Sequence, residues 1–325
     1  MPQPFRHISV SSPGKLVIAG EYAVLYDAPA LSLAIDRRAQ CTLKMSEEGL
    51  WQLSGSPPFW NESVPLQELL AESRNDTVGT VLSWFSHRTS LPEHVLLHMD
   101  TAGYYAERQK LGLGSSASVL VNLYASFATL TELPMNVEDL LDVYRAMDQH
   151  GSGVDVLTCY YGGLIQLKRQ TTSNEEFPSG IYLDFYSVGF STETRSMVDR
   201  FRVAFDGLPV TLQDSFITAA HKVADSLTDG LQFLSALQHF VQVYRDVDLE
   251  AGLAIWSAPH ETMHLLATEV GALYKPSGAG GGDVGVAVAT DPQSLAALRN
   301  KVTELPVSVL DLQKDSNGVR IEQTA

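Results

Sequence analysis

Apolar positions recur along the chain with two different periods, which predict both strands and helices. Near the N-terminus, the pattern of HISVSSPGKLVIAGEYAVLY predicts a strand, a tight turn and a second strand. Ser12, Pro13 and Gly14 would form the turn. ALSLAIDRRAQCTLKM and EHVLLHMD predict further strands. From Ala117 onward the apolar residues recur with helical spacing, and Ser115 or Ser116 is expected to be the N-cap. NVEDLLDVYRAMDQ predicts a second helix.

The second half of the chain repeats this mixture without any internal repeat. SNEEFPSG, which begins at Ser173, is the best linker candidate, and IYLDFYSVGF after it predicts a strand. Helices are expected around SFITAAHKVADSL, GLQFLSALQHFVQVYRDV and HETMHLLATEVGALY, followed by a glycine loop and the strand VGVAVA. This order favours two α+β domains, at 1–175 and 176–325, over a doubly wound sheet.

Composition narrows the class of protein. The 325 residues are 45% hydrophobic, which supports about two globular domains. The formal net charge of −16 disfavours nucleic acid and anionic membranes as partners, so an anionic small substrate would need a local basic pocket. Cys41 and Cys159 have neither metal-site nor disulfide spacing, and no run of 18 apolar residues occurs. We therefore expect a cytoplasmic protein, as a monomer or a homodimer.

The stretch QKLGLGSSASVL places Gly112, Gly114 and two serines directly before a helix. Backbone N–H groups at such a helix start can bind phosphate, although an ordinary capped helix is an equally open interpretation of this stretch alone. A dinucleotide fingerprint with Glu132 as the ribose acid is disfavoured, because YYAERQK is too polar for the preceding buried strand. The stretch also lacks the second glycine of a serine hydrolase elbow, and Gly14-Lys15-Leu16 is not a Walker A ending.

HETMH at 260–264 matches the zinc peptidase pattern, in which His260 and His264 bind the metal and Glu261 is the base. The extended pattern fails, because Ala267 and Val270 occupy the later glycine and histidine positions. The alternative is a helix face without metal.

Three other segments favour the phosphate interpretation. Lys15 lies beside a turn between apolar runs, and Asp155 follows the glycine-rich turn HGSGV, where it could be functional or a helix cap. KPSGAGGGDVG adds five glycines near Ser277 and Asp283. That number exceeds what a turn needs and indicates close backbone contact with a ligand.

Taken in order, PGKLVIAGEYAVL, GLGSSAS, GSGVDV and KPSGAGGGDVG resemble the motifs of the GHMP kinases, and they span nearly the whole chain. The resemblance implies an N-terminal α/β domain like ribosomal protein S5 domain 2, which binds ATP, and a C-terminal ferredoxin-like α+β domain. Tyr22, Lys110, the short GSGVD form and Asp283 favour the phosphomevalonate kinase branch. That branch phosphorylates 5-phosphomevalonate with ATP and Mg²⁺ in the mevalonate route to isoprenoids; phosphorylation of mevalonate on the same fold is the alternative.

The resemblance also implies roles for individual residues. Lys15 and Asp155 would be catalytic: Lys15 would lie across the transferred group, and Asp155 would pair with Lys15 and orient the acceptor. Ser116 would also reach Mg²⁺. Asp148 is the only carboxylate near the place of a second metal ligand, which leaves that ligand in doubt. The ATP-binding residues would be Lys110, Gly112, Leu113, Gly114, Ser115, Ser116 and Ala117. The acceptor would be bound by Lys15, Lys110, Ser152, Asp155, Arg195, Lys275, Ser277, Gly278, Ala279, Gly280 and Asp283.

Overall fold

The computed structural model describes residues 7–45, 49–57, 59–71, 74, 76–106, 109–147, 151–189 and 194–324. The first half contains strands β1 (His7–Ala19), β2 (Ala30–Met45), β3 (Trp51–Ser56), β4 (Trp60–Val64), β5 (Val95–Asp100), β6 (Tyr105–Ala106), β7 (Gln109–Lys110), β8 (Leu164–Lys168) and β9 (Thr171–Glu175). Its helices are α1 (Leu66–Leu69), α2 (Thr77–Ser86), α3 (Ser115–Leu130), α4 (Val137–Ala146) and α5 (Val154–Tyr161).

The second half contains β10 (Tyr182–Ser187), β11 (Leu273–Pro276), β12 (Val284–Ala289), β13 (Ser308–Leu310) and β14 (Arg320–Thr324). Its helices are α6 (Thr194–Phe205), α7 (Val210–Ala224), α8 (Gly230–Ala251), α9 (Ala258–Glu269) and α10 (Pro292–Lys301). Among the described residues, no helix is both long and apolar enough to cross a bilayer.

The larger sheet follows the order β14-β1-β2-β5-β3-β4, with β8 and β9 attached to β2. Its strands are antiparallel except for the parallel pair β3 and β5. Apolar side chains of β1, β2, β3 and β5 pack against α2, α3 and α4 in one hydrophobic core. Alternate residues of the upstream part of β1 are buried, which is the expected pattern for a sheet with one covered face.

The smaller sheet has the order β11-β12-β10-β13, and all of its pairs are antiparallel. Counted along the chain, its strands lie in the order 2-3-1-4, with helices between the first and second strands and between the third and fourth. This is the ferredoxin-like arrangement. A second core joins the two halves, because Leu16 and Ile18 of β1 belong to the same apolar cluster as Phe201, Phe240 and Tyr244.

Several local predictions were wrong. The Ser12-Pro13-Gly14 segment does not end a strand, since β1 is continuous and only shifts its register on β2 between Pro13 and Gly14. The expected linker begins inside β9, which pairs with β8, so only its later part connects the halves. The proposed division at 175/176 also assigns β14 to the second domain, whereas β14 pairs with β1 in the larger sheet.

Candidate active site

The first motif contacts the second directly. At the register shift of β1, a Cβ atom on Gly14 would lie 2.8 Å from the Leu113 carbonyl oxygen, so only glycine permits this approach. The next residue, Lys15, donates its backbone N–H to the same oxygen over 2.9 Å. The shift therefore holds Lys15 beside the start of α3.

Glycines shape the start of α3. Gly112 and Gly114 have φ values of 71° and 83°, in the left-handed region that favours glycine. Gly114 is the N-cap, and it has no side chain with which to cap the helix. The predicted serine N-cap was wrong, because Ser115 and Ser116 are the first two helical residues. The first N–H groups of α3 thus form the positive end of a 16-residue helix, an arrangement suited to an anion.

The Lys15 side chain crosses this helix start. A Cβ atom on Gly114 would lie 2.7 Å from Cγ and 3.0 Å from Cε of Lys15, so the glycine makes room for the lysine stem. A Cβ atom on Gly278 would lie 3.8 Å from Lys15 Nζ. The ammonium group therefore lies between the start of α3 and the glycine-rich loop after β11.

That loop, residues 277–283, is called the third glycine loop below. Ser277 is buried, and its hydroxyl donates to the Val17 carbonyl oxygen over 2.9 Å. Gly280 packs so closely on Ile255 that a Cβ atom would lie 2.3 Å from Ile255 Cγ2. At the end of the loop, Asp283 adopts a φ of 58° and lies against Gly112, where an added Cβ would be 2.4 Å from Asp283 Cβ.

Asp155 enters the site from the start of α5. Gly153, with a φ of 78°, is the N-cap, and Asp155 is the second helical residue. Its Oδ1 accepts the N–H of Val156 over 3.0 Å. Ser152, just before the helix, accepts the N–H of Val154 at its hydroxyl over 3.3 Å.

Lys15 and Asp155 line the same cavity, which holds about 110 Å³. Its other lining residues are Val17, Gly20, Glu21, Tyr22, Val24, Leu25, Ala30, Tyr144, Gly151, Ser152, Val154, Val198, Gly278 and Ala279. Among the ion pairs of the described residues none joins Lys15 to Asp155 within 4.0 Å, so the expected direct pairing is not formed. A group placed between the two side chains could contact both.

Tyr22 is a site residue that sequence reasoning used only as a branch marker. It has a left-handed φ of 57°. Its ring stacks on Phe201 at 4.1 Å between centroids, and its hydroxyl donates to the Ala279 carbonyl oxygen over 2.6 Å. This contact fastens the third glycine loop to the turn after β1.

Glu21, which sequence reasoning missed, forms a buried ion pair with Lys275 of β11. Burial raises the pKa of the Glu21 carboxyl and lowers the pKa of the Lys275 ammonium, and each partner opposes the other's shift. Lys275 is 0% exposed and also donates to the Pro276 carbonyl oxygen over 2.6 Å. The expectation that Lys275 binds substrate charge is therefore corrected, because its charge is balanced by Glu21 and it does not line the cavity.

Of three further predicted residues, one lies outside the described lining of the cavity, and the side chains of the other two are outside the described residues. Lys110 is exposed on β7, which pairs with β6, and it is not among the lining residues. Arg195 is in the first turn of α6, but its side chain lies outside the described residues. Asp148 also lies outside them.

The HETMH segment does not form a metal site. His260 is buried, and its two ring nitrogens lie 2.9 Å from the Tyr274 hydroxyl and 3.0 Å from the Gly282 carbonyl oxygen. Glu261 pairs with Arg245, and His264 packs edge-on against Trp256. No group of three potential metal-binding His, Cys, Asp or Glu residues occurs in the part of the chain that the structure describes. The zinc alternative is therefore not supported.

The dinucleotide alternative also fails in the fold. The element after α3 is the helix α4, not the second strand that a βαβ unit requires.

Comparison with known proteins supports the resemblance to the GHMP kinases. Residues 97–163 match the model of the GHMP kinases N terminal domain. Along 97% of this chain and 98% of its own length, the mevalonate kinase of Thermococcus onnurineus is 24% identical. The phosphomevalonate kinase of Saccharolobus solfataricus is 26% identical, over 97% of this chain and 99% of its own length.

Solved structures share the fold. A Streptococcus pneumoniae phosphomevalonate kinase in complex with phosphomevalonate and AMPPNP superposes with a TM-score of 0.77 at 19% identity, covering 94% of this chain and 99% of that one. The Methanococcus jannaschii mevalonate kinase gives a TM-score of 0.75 at 16% identity, covering 95% and 98%. The resemblance to the GHMP kinase superfamily is thus confirmed: residues 97–163 match the GHMP kinase N-terminal domain, and the mixed α+β fold matches that of solved GHMP kinase structures.

Proposed function

We propose that this protein transfers the γ-phosphoryl group of ATP to the phosphate of 5-phosphomevalonate and forms 5-diphosphomevalonate. The full-length relatives, named mevalonate kinase and phosphomevalonate kinase, support a kinase of the mevalonate pathway. The branch features of Tyr22 and Asp283 favour the phosphorylated acceptor. The proposed partners are small molecules, and the cytoplasmic location and the monomeric or homodimeric state stay predictions.

One observation carries the proposal. Lys15 lies between the start of α3 and the third glycine loop, and it lines a cavity together with Asp155. A cation between two backbone loops with left-handed glycines suits a transferring phosphoryl group, whose charge spreads over several oxygens.

The start of α3 fits the phosphates of ATP. Gly112 and Gly114 expose backbone, Leu113 anchors the loop through its carbonyl oxygen, and the N–H groups of residues 115–117 lie at the positive end of the helix. Ser116 is exposed there and could contribute its hydroxyl to Mg²⁺. A site of this kind is consistent with Mg²⁺ held mainly by nucleotide phosphates and water. When bound, the ion would neutralise phosphate charge.

The residues of the chain would then act by position and charge. Lys15 would stabilise the equatorial oxygens of the transferred group. Asp155 and Ser152 would orient the acceptor. A phosphate dianion is already a charged nucleophile, so Asp155 would not have to remove a proton. Gly278, Ala279 and Gly280 would bring loop backbone to the acceptor side. Lys110, which is exposed, and Arg195 are the proposed further cations.

A specific observation favours mevalonate as a second candidate acceptor. In the described lining of the cavity, Lys15 is the only lysine or arginine, and it shares the cavity with the carboxylate of Asp155. The other carboxylate there, Glu21, is already paired with Lys275. A less charged acceptor would meet less repulsion there. With mevalonate, Asp155 would have to accept the hydroxyl proton as a general base.

The test is a steady-state assay of the purified protein with ATP and Mg²⁺ against mevalonate and 5-phosphomevalonate separately. We expect ADP release that depends on 5-phosphomevalonate. ADP release with mevalonate alone would replace the first candidate by the second, and release with neither would reject both.

A further inference from the structure

The histidine at the start of the HETMH segment contacts the third glycine loop of the candidate active site. His260 lies in the first turn of α9, after the N-cap Ser257, and it is 0% exposed. Its ring spans from the Tyr274 hydroxyl on β11 to the Gly282 carbonyl oxygen in the third glycine loop. Neither the phosphoryl transfer nor a metal uses this buried ring.

The hydrogen bonds determine which ring nitrogen carries the proton. A carbonyl oxygen only accepts, so Nε2 of His260 must donate to Gly282. Burial, together with the charge of Lys275, lowers the pKa of His260 to about 4 against the opposing effect of the hydrogen bond to Gly282, so the ring is neutral near pH 7. Nδ1 therefore accepts from the Tyr274 hydroxyl, whose pKa is raised by burial. Both polar atoms of the ring are used.

This donor fixes a peptide unit at the end of the loop. The Gly282 carbonyl and the Asp283 N–H belong to one planar trans peptide and point in opposite directions. Holding the carbonyl toward α9 therefore orients the backbone of Asp283. Asp283 has a left-handed φ and packs on Gly112 in the loop before α3.

The same loop is also held at several other points. The Tyr22 hydroxyl donates to the Ala279 carbonyl oxygen, and Gly281 donates its N–H to the Ile255 carbonyl oxygen over 2.7 Å. Val188 donates its N–H to the carbonyl oxygen of Asp283 itself over 3.0 Å. The Val188 contact holds the peptide that follows Asp283, and the His260 contact holds the peptide that precedes it.

We propose that His260 is a positioning residue for ATP: its Nε2–H holds the Gly282–Asp283 peptide and thereby keeps Asp283 against the nucleotide loop. The proposal rests on the proposed function, because it assumes that the loop before α3 binds ATP. Loss of the donor should weaken nucleotide binding while the acceptor cavity around Asp155 stays intact.

The experiment compares His260→Gln, His260→Asn and His260→Leu. The Gln amide can place a donor close to the position of Nε2, whereas Asn is too short and Leu has no donor. Affinity for a non-hydrolysable ATP analogue is measured by calorimetry, and KM for ATP and for the acceptor by steady-state kinetics. We expect His260→Asn and His260→Leu to weaken analogue binding and raise KM for ATP about tenfold, with the acceptor KM within about twofold. His260→Gln should restore most of the affinity.

The matched control is His264→Gln, one turn further along α9, whose ring contacts Trp256 and not the third glycine loop. It should bind the analogue like the wild type. Analogue affinity unchanged in folded His260→Asn would overturn the proposal, as would equal loss in the Gln and Asn variants. If His260→Leu does not fold, the Gln and Asn pair still decides the matter. Failure of the wild type itself to bind the analogue would instead reject the proposed function.

Discussion

Lys15 depends on two glycines for its position in the cavity. Gly14 lets β1 approach the loop before α3, and Gly114 makes room for the lysine stem. The consequence is a preorganised positive charge, which in the proposed function would need no rearrangement when the transferred group arrives.

Replacing Lys15 by Met should keep the fold and lower kcat by about 10²–10³, the usual effect of losing one preorganised charge-stabilising group. Turnover is measured beside a thermal melt, with Lys44→Met as control, because Lys44 is exposed on β2 and outside the cavity. Turnover within a few-fold of wild type in a folded Lys15→Met protein would remove Lys15 from the mechanism.

Asp155 separates the two candidate acceptors. If the acceptor is a phosphate, Asp155→Asn should retain measurable kcat, because no hydroxyl proton has to be removed. If the acceptor is an alcohol, the same variant should be nearly inactive, since general-base catalysis typically contributes about 10²–10⁴-fold. Comparison of kcat with 5-phosphomevalonate for the variant and the wild type decides between these outcomes, and near-complete loss would contradict the phosphate mechanism.

At the residue scale, sequence reasoning could find groups that lie near glycines in the chain. Lys15, Asp155 and the two glycine loops were proposed this way, and the structure brings them together. Sequence reasoning could not foresee that Glu21 balances the charge of Lys275, because the two residues are 254 positions apart. Burial and its partner are properties of the fold, so a lysine beside a glycine loop looks available when only its neighbours in sequence are visible.

At the scale of elements, the start of α3 distinguishes a ligand-binding serine from a capping one. Ser116 is the second helical residue and Gly114 is the N-cap, so Ser116→Ala should not remove a cap worth about 1 kcal/mol. We expect an unchanged melting temperature and a higher Mg²⁺ concentration for half-maximal activity. An earlier melt with an unchanged Mg²⁺ dependence would assign Ser116 to stability alone.

The contact between α9 and β11 should make stability depend on pH. The pKa of His260 falls from 6.5 to about 4 on folding, so between these values the unfolded chain binds a proton that the folded protein does not. Above pH 6.5 the proton equilibrium of His260 therefore does not reduce the free energy of unfolding. As pH falls from 6.5 toward 4, His260 lowers the free energy of unfolding, by about 2 kcal/mol between about pH 7 and pH 5.

Urea unfolding of wild type and His260→Gln at these two pH values measures this contribution. Glu21 and Asp248, whose pKa values are raised by burial, act with the opposite sign, but they are present in both proteins and cancel in the difference. The variant should lose less stability on acidification than the wild type. Equal losses would mean that His260 does not titrate as its burial predicts.

Element types were more predictable than element ends. The periodicity of ALSLAIDRRAQCTLKM matches β2, and the helical spacing after Ala117 matches α3. The end of β1 was misplaced at Ser12-Pro13-Gly14, because a longer strand accommodates these turn-forming residues at a register shift. The N-cap of α3 was misassigned, since serines usually cap helices and the left-handed Gly114 is visible only in the fold.

At the scale of the whole molecule, the Glu21–Lys275 pair joins the turn after β1 to the smaller sheet. Removing one partner leaves a buried charge, so Lys275→Met should lower the free energy of unfolding by about 3–5 kcal/mol. Glu21→Gln combined with Lys275→Met should be more stable than Lys275→Met alone, because neither charge is then left without its partner. Chemical denaturation of the single and double variants tests this, and strictly additive losses would contradict it.

The division of the chain was predictable only in outline. The change of sheet after β9 follows the expected linker, but the return of β14 to β1 was not foreseen. A short strand near the chain end has no sequence signal that specifies which of two sheets it will join. Pairing with β1 places the C-terminal strand in the same sheet that positions Lys15.

The central claim is that the acceptor is a phosphate. The most direct measurement is a competition in which the wild-type protein receives ATP, Mg²⁺ and equal concentrations of mevalonate and 5-phosphomevalonate, with the products identified by ³¹P NMR. Our account predicts the paired resonances of a new diphosphate ester, accumulating with ADP while mevalonate remains unconsumed. A rise in 5-phosphomevalonate as mevalonate is consumed, with no diphosphate ester formed, would contradict the account.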